Sequence, residues 1–348
     1  AGGKGSSTLR DETHLMRGQA VDKDGEPLMR RDPQNMRGVV YNTSLGPADP
    51  QVVRYVANLH ELPAERGPWE LTATLRYRKF SRDYAAFACD TLPKTIDAAT
   101  RARCLEPPII DMATARRVLI VQPNATTVAA AGPPNLTPAA DTWQRYLDHG
   151  LGLADGLVDE ASAARPSLAR AVALSPARPE PYLGLARLAL ALGRTEEVLE
   201  AGAHAETLRK DHPAHLYLRG LALYRTYRFT EARPYFERAA LLLPRDPNLL
   251  AMLARVRGLD GDPTSALAAA DRLLGIEPES EDGHHQRMLA LRELGRTQEA
   301  QAAEQRYLLY RRPVEVDQEL RQLFRARYSE RAQEDVPAHT HVLRRSGT

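Results

Sequence analysis

The sequence is poor in the residues that usually announce a chemistry. It has two cysteines in 348 residues, too few by themselves for a structural zinc site, which takes four N or S ligands. No Cys-x-x-Cys-His is present, so this chain attaches no c-type haem covalently. Gly-x-Ser-x-Gly, the phosphate-binding glycine loop and His-Glu-x-x-His are also missing, and with them the common hydrolase, nucleotide and zinc-protease signatures. No apolar run approaches the roughly 20 residues that a helix needs to span a bilayer. An excess of charge is lacking too. Lys plus Arg number 47 against 45 Asp plus Glu, so no global field draws the chain onto nucleic acid or membrane. Lysine is confined to positions 4, 23, 79, 94 and 210, and we read the arginine dominance as composition rather than as a binding device. The opening AGGKGSST carries neither an initiator Met nor a signal-peptide pattern and reads as a mature or internal start.

What is there is a 34-residue period from Arg145 to Val314. Ala164, Val198, Ala232, Ala266 and Ala300 fall one period apart, as do Gly193, Gly261 and Gly295, with Tyr227 in the place of a glycine. Pro176, Pro244 and Pro278 close three of the units. Period and punctuation are those of tetratricopeptide repeats, each a helix, a tight turn and a second helix. The units are 145–178, 179–212, 213–246, 247–280 and 281–314. Small residues stand where two helices meet closely, and Phe236 fills the space to the next unit. The segment EVDQELRQLFRARYSER predicts a further amphipathic helix, placing Leu320, Leu323, Phe324 and Tyr328 on one face as a cap for the array.

Ahead of the array the pattern changes to short strands. HLMRGQAVD, the turn KDGE and PLMRRD predict a hairpin built on Asp24-Gly25. RGVVYN and QVVRYVANL predict two more strands. WELTATLRYRKF alternates apolar and polar residues with period 2, RRVLIVQ predicts a last strand, and SRDYAAFACDTL a short helix or turn. Five or six strands fall short of the seven or so of a sandwich. Either the sandwich is small and irregular or another polypeptide supplies strands to its open edge. The expected fold class is therefore α+β with two domains: a small β-sandwich-like domain, then an α-solenoid of about five repeats with a C-terminal cap helix. Its divisions are a disordered arm at 1–12, the β domain at 13–122, a linker at 123–140, the solenoid and cap at 141–328 and an extended tail at 329–348.

The first helix of each unit supplies the residues expected to line a protein-binding concave face: Tyr182, Arg187, Tyr217, Tyr224, Arg255, His284 and Arg287. Aromatic and Arg anchors suit such an interface. His14, together with His339 and His341, which share one side of an extended tail, are the residues able to ligate haem iron or a metal. Cys89 and Cys104, fifteen positions apart, form a disulfide if the compartment is oxidising and stay free thiols otherwise. No catalytic residue is expected.

The stretch THLMRGQAVDKDGEPLMRRDPQNMRGVVYNTSLGPADPQVVRYVANL, followed by GPWELTATLRYRKFSRDYAAFAC, resembles the C-terminal β domain of large periplasmic multihaem cytochromes c, which often continue into a tetratricopeptide array. The haem-binding half of such proteins is absent here. The resemblance implies a periplasmic or extracellular location and a non-catalytic scaffold or interaction subunit in an electron-transfer assembly, with haem c in a partner chain and none bound covalently by this one. The alternatives are a redox subunit holding haem through its own histidines, and a general periplasmic adaptor without a redox link. Expected partners are a multihaem cytochrome or other redox subunit and a peptide or subunit in the repeat groove, with no nucleic acid and no membrane span.

Overall fold

The computed structural model describes residues 16–28, 34–44, 50–57, 69–80, 82–105, 108–119, 140–154, 158–311, 314–331 and 340–343. By its internal contacts the chain divides into two units. One is drawn from Ala1–Gly46, Val53–Ala130 and Glu315–Thr348, the other from Pro47–Val52 and Ala131–Val314. The arm at 1–12 and nearly all of the linker lie outside the described residues.

The second unit is a stack of helix pairs: α3 (Thr142–Ala154) with α4 (Val158–Leu174), α5 (Pro179–Ala191) with α6 (Thr195–Leu208), and α7 (Pro213–Arg225) with α8 (Phe229–Leu242). These are followed by α9 (Pro247–Leu259) with α10 (Pro263–Ile276), and α11 (Glu281–Glu293) with α12 (Thr297–Tyr310). The pairs are of the tetratricopeptide kind. Proline opens α5, α7, α9 and α10, where a missing N–H costs nothing. Asp246, Asp262 and Ser280 cap α9, α10 and α11 by accepting from Leu249, Ser265 and Gly283 N–H.

The turn inside each of the last four pairs is set by one residue with positive φ: Gly193 at 70°, Tyr227 at 62°, Gly261 at 82° and Gly295 at 70°. In each, the next residue's N–H donates to a carbonyl five positions back, as from Arg194 to Ala189 and from Arg228 to Leu223. That bond closes a Schellman cap and requires the left-handed conformation. Tyr227 adopts it without glycine's freedom.

Core columns repeat with the period. Ala232, Phe236 and Ala239 are wholly buried, and a Cβ on Gly220 would stand 3.0 Å from the Phe236 ring. The glycine is there because the ring needs its space. Ion pairs then tie one pair to the next. Arg165 meets Glu197 at 2.5 Å, Arg219 and Arg238 each meet Glu206 at 2.6 Å, and Arg287 meets Asp271 at 2.8 Å. Exposed pairs contribute less than about 1 kcal/mol each; their effect is to fix the register between units.

The first unit departs from the expected sandwich. Its described strands form three two-stranded sheets: β1 (Gly18–Val21) antiparallel to β2 (Gly38–Asn42), β3 (Arg54–Ala57) parallel to β6 (Thr340–Leu343), and β4 (Trp69–Tyr77) antiparallel to β5 (Ile110–Leu119). The expected hairpin on Asp24-Gly25 is reduced to a tight turn with one bridge, Val21 to Pro27. Gly25 at φ 76° lies against Leu323, 3.1 Å from where its Cβ would be. The helix expected to cap the array, α13 (Val314–Arg327), buries Leu320 and Phe324 against Val21, Val40 and Tyr41 instead. The tail supplies β6. Both strands and core that seemed missing from the β region therefore come in part from residues some 300 positions later in the same chain. Two short helices, α1 (Arg82–Asp90) and α2 (Ala98–Leu105), are joined by the Cys89–Cys104 disulfide.

Candidate interaction surface

The first helices of successive pairs meet each other at α3/α5, α5/α7 and α9/α11, more closely than the second helices do. The first helices therefore form the inner layer of the array. Residues three and four apart share a helix face, and one such stripe recurs on α5, α7, α9 and α11: Leu183, Arg187 and Leu190; Tyr217, Leu221 and Tyr224; Ala251, Arg255 and Gly258; His285, Leu289 and Arg292. Except at Ala251 the stripe stays at least partly open. The column beside it is Tyr182, Leu216, Leu250 and His284, half-buried at Tyr182 and shut at the other three.

This register sorts the residues expected from sequence. Arg187, Tyr217, Tyr224 and Arg255 stand on the open stripe. Arg187 is exposed. Tyr217 lies edge-on to Phe236 with centroids 5.9 Å apart; burial, reinforced by Asp246, raises its phenol above the usual range. Tyr224 tilts against Phe229 at 5.7 Å. Arg255 reaches across a unit boundary to Asp282 at 2.6 Å.

Tyr182 and His284 serve the fold. Tyr182 donates its hydroxyl to Pro176 O at 3.2 Å and stacks on His204 at 4.0 Å. His284 Nε2 bonds Pro278 O at 2.9 Å, and the ring stacks on Tyr310 at 5.4 Å. The two carbonyls are 102 residues apart, three periods, and the same job is done at the intervening closures by His215 on Lys210 O and Arg272 on Pro244 O. Arg287 turns toward the preceding unit, where Asp271 holds it.

His285, Arg292, Leu221 and Leu289 complete the open stripe. The sequence carried their signal, because His285 lies two periods from Tyr217 and Arg292 two periods from Tyr224. His285 stands 4.8 Å from the Tyr307 ring, and burial lowers its pKa from 6.5, with Arg255 adding to the effect.

Of the expected iron or metal ligands, His14 and His339 lie outside the described residues. His341 is buried and stacked on Tyr55 at 4.9 Å, its partner across β3 and β6. Among the described residues no group of three His, Cys, Asp or Glu is placed to hold a metal ion. His149 Nδ1 lies 2.8 Å from Ser167 Oγ, a nucleophile–base pairing in outline, but Ser167 is fully buried between two helices and meets no substrate. Among the described residues no helix is long and apolar enough to cross a membrane.

No known family matches the chain, and no curated protein matches it. Solved structures do. One described as "MamA 41-end from Desulfovibrio magneticus RS-1" is 16% identical with a TM-score of 0.45, covering 49% of this chain and 95% of that one. Another, "Crystal structure of MamA protein", is 18% identical with a TM-score of 0.44, covering 55% and 97%. At these values nothing about partners follows from the likeness. The resemblance to multihaem cytochromes is overturned: structures of MamA match the chain, and nothing in them points to such a cytochrome. The physical reason is plain. A Gly-Pro turn followed by LRYRKF specifies a two-faced strand, and many unrelated sheets ask for the same thing.

Proposed function

We propose that the chain is a non-catalytic scaffold whose array holds a partner polypeptide along the inner stripe. The observation that carries this reading is the stripe itself, at least partly open through four units except at Ala251, while the adjacent column is closed in three of the four helices. Its side chains are aromatic, aliphatic and Arg, with no Asp or Glu among the twelve positions. Such a groove suits a segment with apolar anchors and acidic groups, and an amphipathic helix or an extended strand of peptide both fit that description. The Cys89–Cys104 bridge supports an oxidising, extracytoplasmic compartment.

The test is recovery of partners from the native source by the full chain and by an Arg187→Glu/Tyr224→Ala variant of unchanged melting temperature. A partner that follows the wild type, is lost from the variant and binds the purified chain at a fixed ratio in calorimetry supports the proposal. Identical recovery by both chains overturns it.

A further inference from the structure

The last turns of the second helices carry two more rows at the 34-residue period, on a different side of the array from the inner stripe. The first row is Arg170, His204, Arg238, Arg272 and Arg306, all exposed. The second, one helical turn further along the same face, is Leu174, Leu208, Leu242, Ile276 and Tyr310. The three leucines are 42%, 37% and 38% exposed, and Leu241 beside them is 82% exposed. Neither row contains an acid.

The bias continues to the end of each unit. From the basic row onward, at 170–178, 204–212, 238–246, 272–280 and 306–311, nine Lys or Arg face five Asp or Glu, in a chain otherwise almost balanced. Two of those five acids are already engaged: Glu206 holds Arg219 and Arg238, and Asp246 caps α9. The fold orients part of the row without hiding it. Arg238 meets Glu206 while 44% of its side chain remains exposed. Arg272 donates to Pro244 O, and His204 stacks on Tyr182. Most core packing is done by other columns, those of Ala232, Phe236 and Ala239, while of the second row Ile276 packs on Leu250 and Leu273 and Tyr310 stacks on His284.

We propose that this edge docks an extended acidic segment of a partner polypeptide, its carboxylates on the basic row and its interleaved apolar side chains on the leucine row. Cations repeated in register beside aliphatic side chains are complementary to such a segment, and to a basic or purely polar one they are not. The second helices of successive units meet less closely than the first, so the cations are spaced by no less than the roughly 8–10 Å between packed helices, and an extended chain advances about 3.3 Å per residue. The segment therefore presents acids no closer than about every third residue.

Fluorescence anisotropy of the full chain with labelled synthetic peptides of about 18 residues tests this. One repeats Glu-Leu-Ser, one Glu-Gly-Ser and one Lys-Leu-Ser. The expected result is binding of the first alone, weakened about tenfold or more by Arg170→Glu/Arg306→Glu and by added salt, and unchanged by Arg187→Glu on the inner stripe. Both replaced arginines are exposed, and circular dichroism with a melting curve confirms that the variant is folded. No binding of the Glu-Leu-Ser peptide, equal binding of either control, or indifference to the charge reversal overturns the proposal. So does a self-associated wild type in sedimentation that the same reversal dissolves, which assigns the edge to a second copy of the chain.

Discussion

The two units reach a core by opposite routes. In the array, each buried column is assembled from helices adjacent in sequence, and Phe236 rests on Gly220 only sixteen residues away. In the other unit, Val21, Val40 and Tyr41 find Leu320 and Phe324 some 300 residues later, and β3 finds β6 at a similar distance. Glu26 accepts from both Arg327 and the Tyr328 hydroxyl, and Arg331 reaches Gln19 and Tyr41. A fold made of local contacts leaves its period in the sequence. A fold closed by distant segments leaves only strands and stripes without addresses.

That contrast can be broken most forcefully at its two aromatic pillars. Phe236→Ala and Phe324→Ala each empty a buried ring site and are expected to cost about 3–5 kcal/mol. Hydrogen exchange distinguishes them. The first change should free amides on α7 and α8 and their neighbours, while the second should free β1, β2 and α13 and leave α7–α12 protected. Loss of protection through both units in either variant would show that they unfold as one. Replacing Cys89 and Cys104 by Ser is next, expected to cost about 3 kcal/mol on the loop-entropy account for a loop of this length. The loss should be read in the first unit's urea transition.

Acid should act mainly on the array. Glu197 is held below its usual range of about 4.5 by a hydrogen bond from Arg165, and Glu231 and Glu299 likewise by Arg228 and Arg296. At Glu206 burial raises the pKa, but hydrogen bonds from Arg238 and Arg219 outweigh it and the net shift is downward. Groups with depressed folded-state pKa values contribute stability above their unfolded value and lose it as pH falls through the folded one. The array's melting temperature should be level at neutral pH and decline from about pH 4.5 downward; an unchanged melting temperature at pH 3 would contradict the assignment. The smallest effect is at the turns. Tyr227→Gly should stabilise the array by about 1 kcal/mol, since a side chain at positive φ costs roughly that, while Gly261→Ala should destabilise it by a similar amount. Opposite signs at equivalent positions are the signature to look for in paired melts.

Legibility followed the same division. The spacing of Gly193, Tyr227, Gly261 and Gly295 located four turns, and the positive φ at each is what that spacing demanded. Leu320 and Phe324 advertised an apolar face correctly, but amphipathicity names no partner, and the helix packs on β1 and β2 rather than serving as the expected cap. Strand period likewise places side chains on faces without naming the neighbouring strand, and the described strands form three two-stranded sheets, not the expected sandwich. For the groove, the aromatic and Arg content of the first helices was visible, but the closed column was not. Tyr182 and His284 looked like binding residues because the carbonyls they satisfy belong to the preceding closures.

The pairing of β3 with β6 has a consequence for how the chain comes into being. A ribosome delivers residues in order, at roughly 5–20 per second, so β3 is made long before β6 exists. The helical stack can form behind it as each pair emerges, since every pair needs only its neighbour. The unit begun before the array must wait for a strand made after it, with β1 and β2 lacking the side chains of α13 throughout. This unit is opened before the array and closed after it, and through that interval of about 15–60 s its uncovered strands are what a chaperone or a stray sheet would meet.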